Sequence, residues 1–186
     1  TVWGARVSLL VGMSVALFAT SIGLVIGLLA GYFRRLDTIV MRVMDALMAI
    51  PGILLAIALV ALTRGGVPVV IFAITVPEIP RVVRLVRAVV LTVRERPFID
   101  AAVSVGSRPT KVIFRHILPN TVAPLIVQAT YICASAILTE AGLSFLGAGV
   151  PPEIPTWGNM IAQARLFLAR APWTIFFPGA CLAMVV

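Results

Sequence analysis

Long apolar runs separated by short charged clusters set the pattern of this chain. Residues 8–33 contain no charged side chain at all. A bilayer core about 30 Å thick takes roughly 20 helical residues at about 1.5 Å each, so this stretch predicts a spanning helix. Along it Ser8, Gly12, Ala16, Ala19, Gly23, Gly27 and Gly31 recur at three- or four-residue steps. Such a ridge of small side chains lets a second helix approach closely. Close packing is its expected use, and a gating hinge at the last three glycines is the alternative.

Arg34, Arg35 and Asp37 mark a charged turn, after which residues 38–63 predict a second span. Arg42 and Asp45 are spaced to pair near a membrane face, and Pro51-Gly52 predicts a kink. An ionisable group near the membrane is also a functional candidate, which keeps a substrate or proton role for Asp45 open. Beyond the turn at residues 63–66, residues 67–92 predict a third span, broken by Pro77, Glu78 and Pro80. Prolines leave carbonyls unpaired, and irregular backbone is tolerated only under protein or a watery cavity. The segment therefore belongs inside a bundle. Arg81, Arg84 and Arg87 follow at three-residue steps, to be read first as snorkelling to phosphate headgroups and second as contacts with a cytoplasmic partner.

Residues 120–143 predict a fourth span. Gln128, Tyr131, Ser135 and Thr139 fall on one helical face, a polar stripe that lines a water-filled path or bonds to other helices. Glu140 lies near the outer end, as a gate or substrate contact or as an interfacial ion pair. Residues 142–173 carry Pro151, Pro152, Pro155, Trp157 and Trp173 and predict an outer loop. A short helix is expected near residues 159–169, with the tryptophans at the membrane surface. Residues 174–186 begin a fifth span.

Residues 97–119, PFIDAAVSVGSRPTKVIFRHILP, stand apart as a polar, basic island of helical pattern. Phe98, Ala101, Ala102 and Val105 make one apolar face, with Asp100, Ser104 and Ser107 opposite. Pro97 suits a first helical turn and Gly106 a helix stop. Ser107 ahead of Pro109 is placed to cap a second short helix that gathers Ile113, Phe114 and Ile117 before Pro119 ends it.

Composition agrees with the pattern: 61% hydrophobic residues, 12% charged residues and a mean hydropathy of +1.11 define an all-α, polytopic transmembrane bundle. The net charge of +8 then distributes by membrane side and does not call for nucleic acid. Assigning alternate sides gathers Arg34, Arg35, Arg42, Arg81, Arg84, Arg87, Arg94, Arg96, Arg108, Lys111 and Arg115 on one side. Arg6, Arg64, Arg165 and Arg170 fall on the other. The positive-inside rule therefore places residues 94–119 in the cytoplasm and residues 142–173 outside.

Candidate chemistry is sparse. Cys133 and Cys181 lie in apolar runs without C-x-x-C spacing and read as buried small hydrophobes. One histidine and two scattered cysteines do not make an ordinary zinc site. The only lysine, Lys111, follows Thr110, so no phosphate-cradling G-x-x-x-x-G-K-[ST] loop is present. Nor is there an H-E-x-x-H, a G-x-S-x-G or a second histidine to pair with His116. A spanning bundle with a polar helix face and a structured loop suggests a conduit driven by another subunit.

Asp100-Ala101-Ala102, then Gly106, then Leu118-Pro119 resembles the "EAA" loop of inner-membrane permease subunits of bacterial ABC importers. Asp100 stands where that pattern has Glu, and His116 stands where an aliphatic residue is usual. Gly4-Ala5-Arg6-Val7-Ser8-Leu9, Ala30-Gly31-Tyr32-Phe33, Arg115-His116-Ile117-Leu118-Pro119-Asn120, Leu143-Ser144-Phe145-Leu146-Gly147 and Thr156-Trp157-Gly158-Asn159-Met160 extend the resemblance to the peptide/nickel group. It implies a type I importer permease fold, about five spans here with short coupling helices, as one permease domain over residues 1–186. A further helix before it and more chain after it are also implied. The coupling loop, with Asp100, Ala101, Ala102, Gly106, Leu118 and Pro119, would dock on a cytoplasmic ATPase. Implied partners are a second, related permease in a heterodimer, two ATPases that hold ATP and magnesium, an extracytoplasmic binding protein and membrane lipid. The location is the bacterial inner membrane. Cargo would be di- or oligopeptides, with nickel chelates and glutathione-like substrates open. An ion-coupled secondary transporter and a non-transporting assembly subunit are the alternatives.

Overall fold

The computed structural model describes residues 2–63 and 65–186; Thr1 and Arg64, one of the cations assigned above to the outer side, lie outside the described residues. The described residues form helices and connecting turns, with no strand among them. The helices are α1 (Val2–Tyr32), α2 (Arg34–Met48), α3 (Gly52–Ala61), α4 (Val67–Arg94), α5 (Pro97–Ser104), α6 (Pro109–Val112), α7 (Leu118–Phe145), α8 (Trp157–Ala164) and α9 (Trp173–Val185). A π turn, Ile113–Ile117, joins α6 to α7, and a 3₁₀ turn, Arg165–Phe167, follows α8.

Two helical runs, Val2–Tyr32 and Pro109–Phe145, are long and apolar enough to cross a membrane. The pair α2 and α3, bent by 83° at residues 49–51, makes a third if it is one broken span. The expected spans correspond in order to α1, α2 with α3, α4, α6 with α7, and α9. α4 has 28 residues but carries Glu78 and four arginines, and α9 has 13 residues. Length and apolarity alone therefore define two or three of the expected five.

Two compact units make up the chain: Thr1–Phe18, Pro51–Pro77 and Thr130–Val186 form one, and Ala19–Ile50 with Glu78–Ala129 the other. In the second unit, a Cβ placed on Gly23, Gly27 or Gly31 would lie 2.5–2.7 Å from the Cβ of Val82, Val86 or Val90 respectively. The small-residue ridge of α1 thus takes the valine ridge of α4 at four-residue steps on both helices, which is the close approach that absent side chains permit. Val82, Val83, Val86 and Val90 are buried accordingly. In the first unit Gly12 meets Ile137 and the Cys133 carbonyl in the same manner, and Val11, Val15, Ile132, Ala136 and Leu143 are buried.

Several expectations are corrected. Arg34, Arg35 and Asp37 form the first turn of α2 itself, because Phe33 alone, in extended backbone, separates it from α1. The kink at Pro51-Gly52 is a full helix break, with Pro51 at the N-cap of α3. Pro77 and Pro80 do not break α4: Ala73, Ile74, Thr75, Glu78 and Pro80 are buried, and Thr75 Oγ1 donates to the Ile71 carbonyl at 2.7 Å. Protein cover and a hydroxyl donor thus support the irregular stretch. Trp157 is buried at the start of α8, whereas Trp173 is exposed, so only one of the two sits at a surface. Both cysteines are free thiols, half-buried rather than fully enclosed.

Candidate coupling surface

Within the second unit the loop after α4 is built from three anchored turns. Pro97 occupies the first turn of α5, where its missing N–H costs nothing. The helix ends in a left-handed glycine: Gly106 has φ +84°, its N–H donates to the Val103 carbonyl at 2.9 Å, and the Ser107 N–H reaches back to the Ala102 carbonyl at 3.0 Å. This reversed pair of bonds satisfies the terminal carbonyls and turns the chain. Open space surrounds Gly106, so glycine is required here by backbone conformation and not by crowding.

The N-cap of α6 is Arg108, with no side-chain cap bond, so the expected Ser107 cap is not made. Pro119 does not end a helix either. The π turn at Ile113–Ile117 shifts the hydrogen-bond ladder just ahead of it, and α7 runs on through Pro119. Side chains supply donors at this point: Asn120 Nδ2 donates to the His116 carbonyl at 2.6 Å and Thr121 Oγ1 to the Leu118 carbonyl at 2.7 Å.

Burial divides the loop's apolar residues. Ile99, Val112, Ile113 and Ile117 point into the unit, while Phe98, Val103, Val105 and Phe114 are exposed, Val105 to 87%. The face read as Phe98, Ala101, Ala102 and Val105 is thus outward except for the half-buried Ala102, and Phe114 parts from Ile113 and Ile117. Asp100, Gly106 and Pro119 are exposed beside it, and Leu118 is half-buried. The His116 ring lies 6.3 Å from that of Phe98. The same loop also exposes Arg96, Arg108, Lys111 and Arg115, which makes it a candidate protein contact.

Ion pairs fix the helix that leads into this loop. Arg87 reaches Asp37 through two nitrogens, Nη2 to Oδ2 at 2.6 Å and Nε to Oδ1. Arg84 Nη2 meets Asp45 Oδ1 at 2.5 Å, and Arg81 meets Glu78 at 3.1 Å. Farther along α4, Arg94 donates to the carbonyls of Gly31 and Tyr32 at 3.0 Å each, a cation closing the C-terminus of α1. The three arginines read as snorkelling side chains are therefore internal partners of α4 and α2. Asp45 takes Arg84 and not Arg42. Sequence spacing gave no sign of these pairs, since the partners are 39 and 50 positions apart.

The polar stripe of α7 is half-buried at Gln128, Ser135 and Thr139 and exposed at Tyr131. Thr139 Oγ1 donates to the Ser135 carbonyl of its own helix at 2.8 Å. Among the described residues none of the four makes a hydrogen bond to another helix. Glu140 is fully buried and belongs to none of the ion pairs among the described residues, which removes its reading as an interfacial pair.

Helices of membrane-spanning length and a basic loop with exposed apolar side chains define a membrane component. Residues 23–186 match the family of binding-protein-dependent transport system inner membrane components, and the chain belongs to it. A probable peptide ABC transporter permease from Sinorhizobium fredii is 60% identical over 186 residues, which are 100% of this chain and 64% of that protein. The dipeptide transport system permease of Alkalihalophilus pseudofirmus is 44% identical over 186 residues, again 100% of this chain and 61% of the relative. The chain thus spans less than two thirds of the length of these relatives. The fold is similar to a chain of the methionine ABC transporter MetNI in an inward-facing crystal form, with a TM-score of 0.78 at 21% identity over 100% of this chain and 88% of that one.

Proposed function

We propose that this chain is the transmembrane permease subunit of an ATP-driven importer of di- or oligopeptides in the bacterial inner membrane. It forms half of a translocation pore with a second, related permease, crosses the membrane several times, and receives substrate from an extracytoplasmic binding protein. Two cytoplasmic ATPases hold the ATP and magnesium. One observation carries the reading: the loop at residues 97–119 presents an exposed apolar patch, locked by the left-handed Gly106, at the end of an arginine-anchored helix. Asp100, Ala101, Ala102, Gly106, Leu118 and Pro119 contribute to the ATPase contact. ATP binding closes the ATPase pair, displaces α5 and carries α4 with it, so that the pore alternates between two accessible states.

Charge supports the orientation. All eleven cations assigned to the cytoplasm fall in the second unit, and Arg6, Arg165 and Arg170 in the first. Names of relatives, which include a glutathione transport system permease from Pectobacterium atrosepticum at 40% identity over 184 residues, 98% of this chain and 61% of that protein, support small peptides as the cargo class. An ion-coupled carrier and a non-transporting assembly subunit are not favoured.

The test is isolation in mild detergent with mass spectrometry of the co-purifying chains. ATPases carrying the phosphate-binding motif are expected with the wild-type chain and are lost on Ala101→Arg or Gly106→Val. Retention of the ATPases by both variants, or uptake driven by an ion gradient without any ATPase, overturns the proposal.

A further inference from the structure

The C-terminal ends of α1 and α4 lie side by side, and one side chain joins them. The last carbonyls of any helix have no partner inside it. Phe33 turns the chain out of α1: its own N–H still donates to the Leu29 carbonyl at 2.9 Å, whereas the N–H groups of Leu36 and Asp37 turn back to the Phe33 carbonyl at 3.0 and 3.1 Å. Arg94, on the last turn of α4, serves the carbonyls left at this bend. Its Nη1 donates to Gly31 and Tyr32 at 3.0 Å each, and its Cζ lies 5.4 Å from the centre of the Tyr32 ring. One guanidinium thus holds both the backbone and the ring of the residue before the bend.

Packing brings the two ends together without locking them. A Cβ on Gly31 would lie 2.7 Å from Val90 Cβ and 3.3 Å from the Arg87 carbonyl, so the helices touch one turn before Arg94. Beyond that contact a cavity of about 410 Å³ opens, with Ala30 and Gly31 of α1, Arg34 of α2 and Leu91 and Arg94 of α4 among its lining residues. Water in such a cavity satisfies a carbonyl, yet it fixes no distance between helices. The guanidinium does both. From Arg94 to α5 there is little slack. Only Glu95 and Arg96 intervene before Pro97; the Arg96 N–H donates to the Val93 carbonyl at 3.1 Å, its carbonyl accepts from the Ile99 N–H at 2.9 Å, and Ile99 is buried.

We propose that Arg94 is the positioning residue of the coupling loop: it clasps the start of α5 to the last turn of α1 and to the bend that begins α2, so that a displacement of α5 reaches α1 at a fixed geometry. Its consequence for transport rests on the permease reading. Arg84 and Arg87 hold carboxylates of α2 earlier on α4, whereas Arg94 holds main-chain carbonyls of α1 beside the loop itself. A guanidinium or an ammonium can make that contact, and a neutral side chain without a donor cannot.

Amide hydrogen exchange on the full chain in lipid nanodiscs reads the clasp directly. Arg94→Met is expected to speed exchange at the Tyr32 and Phe33 amides roughly threefold or more, with the Val82 and Val86 amides unchanged. Arg94→Lys, one bond shorter but with its donors on a single nitrogen, is expected to stay close to wild type. A Met variant as protected as wild type, or a Lys variant as open as Met, overturns the clasp. Where Arg94→Met fails to insert, Arg94→Gln, neutral and too short to serve both carbonyls, takes its place with the same expectation. In the assembled importer the readout is peptide uptake per ATP hydrolysed. With ATPases still co-purifying, this ratio is expected to fall roughly threefold or more in Met and to be restored in Lys, whereas a merely structural role lowers the yield of assembly and leaves the ratio alone. An unchanged ratio in a Met variant whose α1 end has opened overturns the positioning role. Exchange in the expected order with no peptide uptake by the wild-type assembly counts against the permease reading and leaves the clasp standing.

Discussion

Arg87 and Asp37, fifty positions apart in the chain, meet through two nitrogens and two oxygens, with only 30% and 20% of their side chains exposed. A two-pronged contact of this kind fixes angle as well as distance, which a single lysine contact does not. Together with Arg84 and Asp45 it holds α2 against the half of α4 that runs into α5. A displacement of this part of α4 is in this arrangement a displacement of α2.

A charge exchange tests that relation. In the proposed permease reading, Asp37→Arg and Arg87→Asp alone are each expected to lower uptake while the chain still inserts and still co-purifies with ATPases. The double exchange is expected to recover a coupling energy of about 1–2 kcal/mol in a double-mutant cycle on detergent unfolding. Additive losses in the cycle count against the ion pair as a mechanical link.

The second prediction concerns backbone conformation. Gly106→Val forces a β-branched residue to a φ of +84°, at a cost of about 1–3 kcal/mol. Nothing lies within 4 Å of the added carbon, so size alone is not the obstacle. Gly106→Asn, which tolerates the left-handed region, is therefore expected in the permease reading to keep most uptake, whereas Gly106→Val, which sheds the ATPases, is expected not to transport. Transport by the Val variant at the wild-type rate in vesicles contradicts the assignment.

What was legible in the sequence, and what was not, follows the range of the interactions. Helix order came from apolar runs, and the extent of α5 came from Pro97 and Gly106, because these signals act within a few residues. The break between α2 and α3 was foreseen as a kink at Pro51-Gly52. The partners of Arg84 and Arg87 were not foreseen, since local spacing favoured Arg42 for Asp45 and lipid for the arginines. Proline misled twice: Pro77 and Pro80 run through α4 without breaking it, although their cover by protein was expected, and Pro119 follows a π turn that has no local signature. Trp157 was placed at a surface by residue type, whereas the approach of Gly158 to Ala141 draws it inward.

A third prediction follows from the fit between α1 and α4. A side chain at Gly27 would bring its Cβ to 2.7 Å from that of Val86, closer than carbon atoms approach. Gly27→Val is expected to destabilise the chain by about 1–3 kcal/mol through overpacking. Val86→Ala in the same chain should return part of that loss, measured as the shift in thermal unfolding in detergent. No recovery would argue that the glycine serves motion and not packing.

Asn159 carries the last prediction, because one amide nitrogen there serves three carbonyls. Its residue is buried to 5% exposure, so water does not take over when the side chain is cut back. Asn159→Ala leaves the carbonyls of Val150, Pro151 and Ile154 without that donor, and about 1–3 kcal/mol of stability is expected to be lost. Asn159→Asp is the sharper variant: it keeps the shape but turns a carboxyl toward three carbonyl oxygens, so it is expected to be worse than alanine. Limited proteolysis at residues 146–156 measures both, with cleavage rising in the order wild type, Ala, Asp. An Asp variant cut no faster than wild type would mean that the turn is held by its prolines alone.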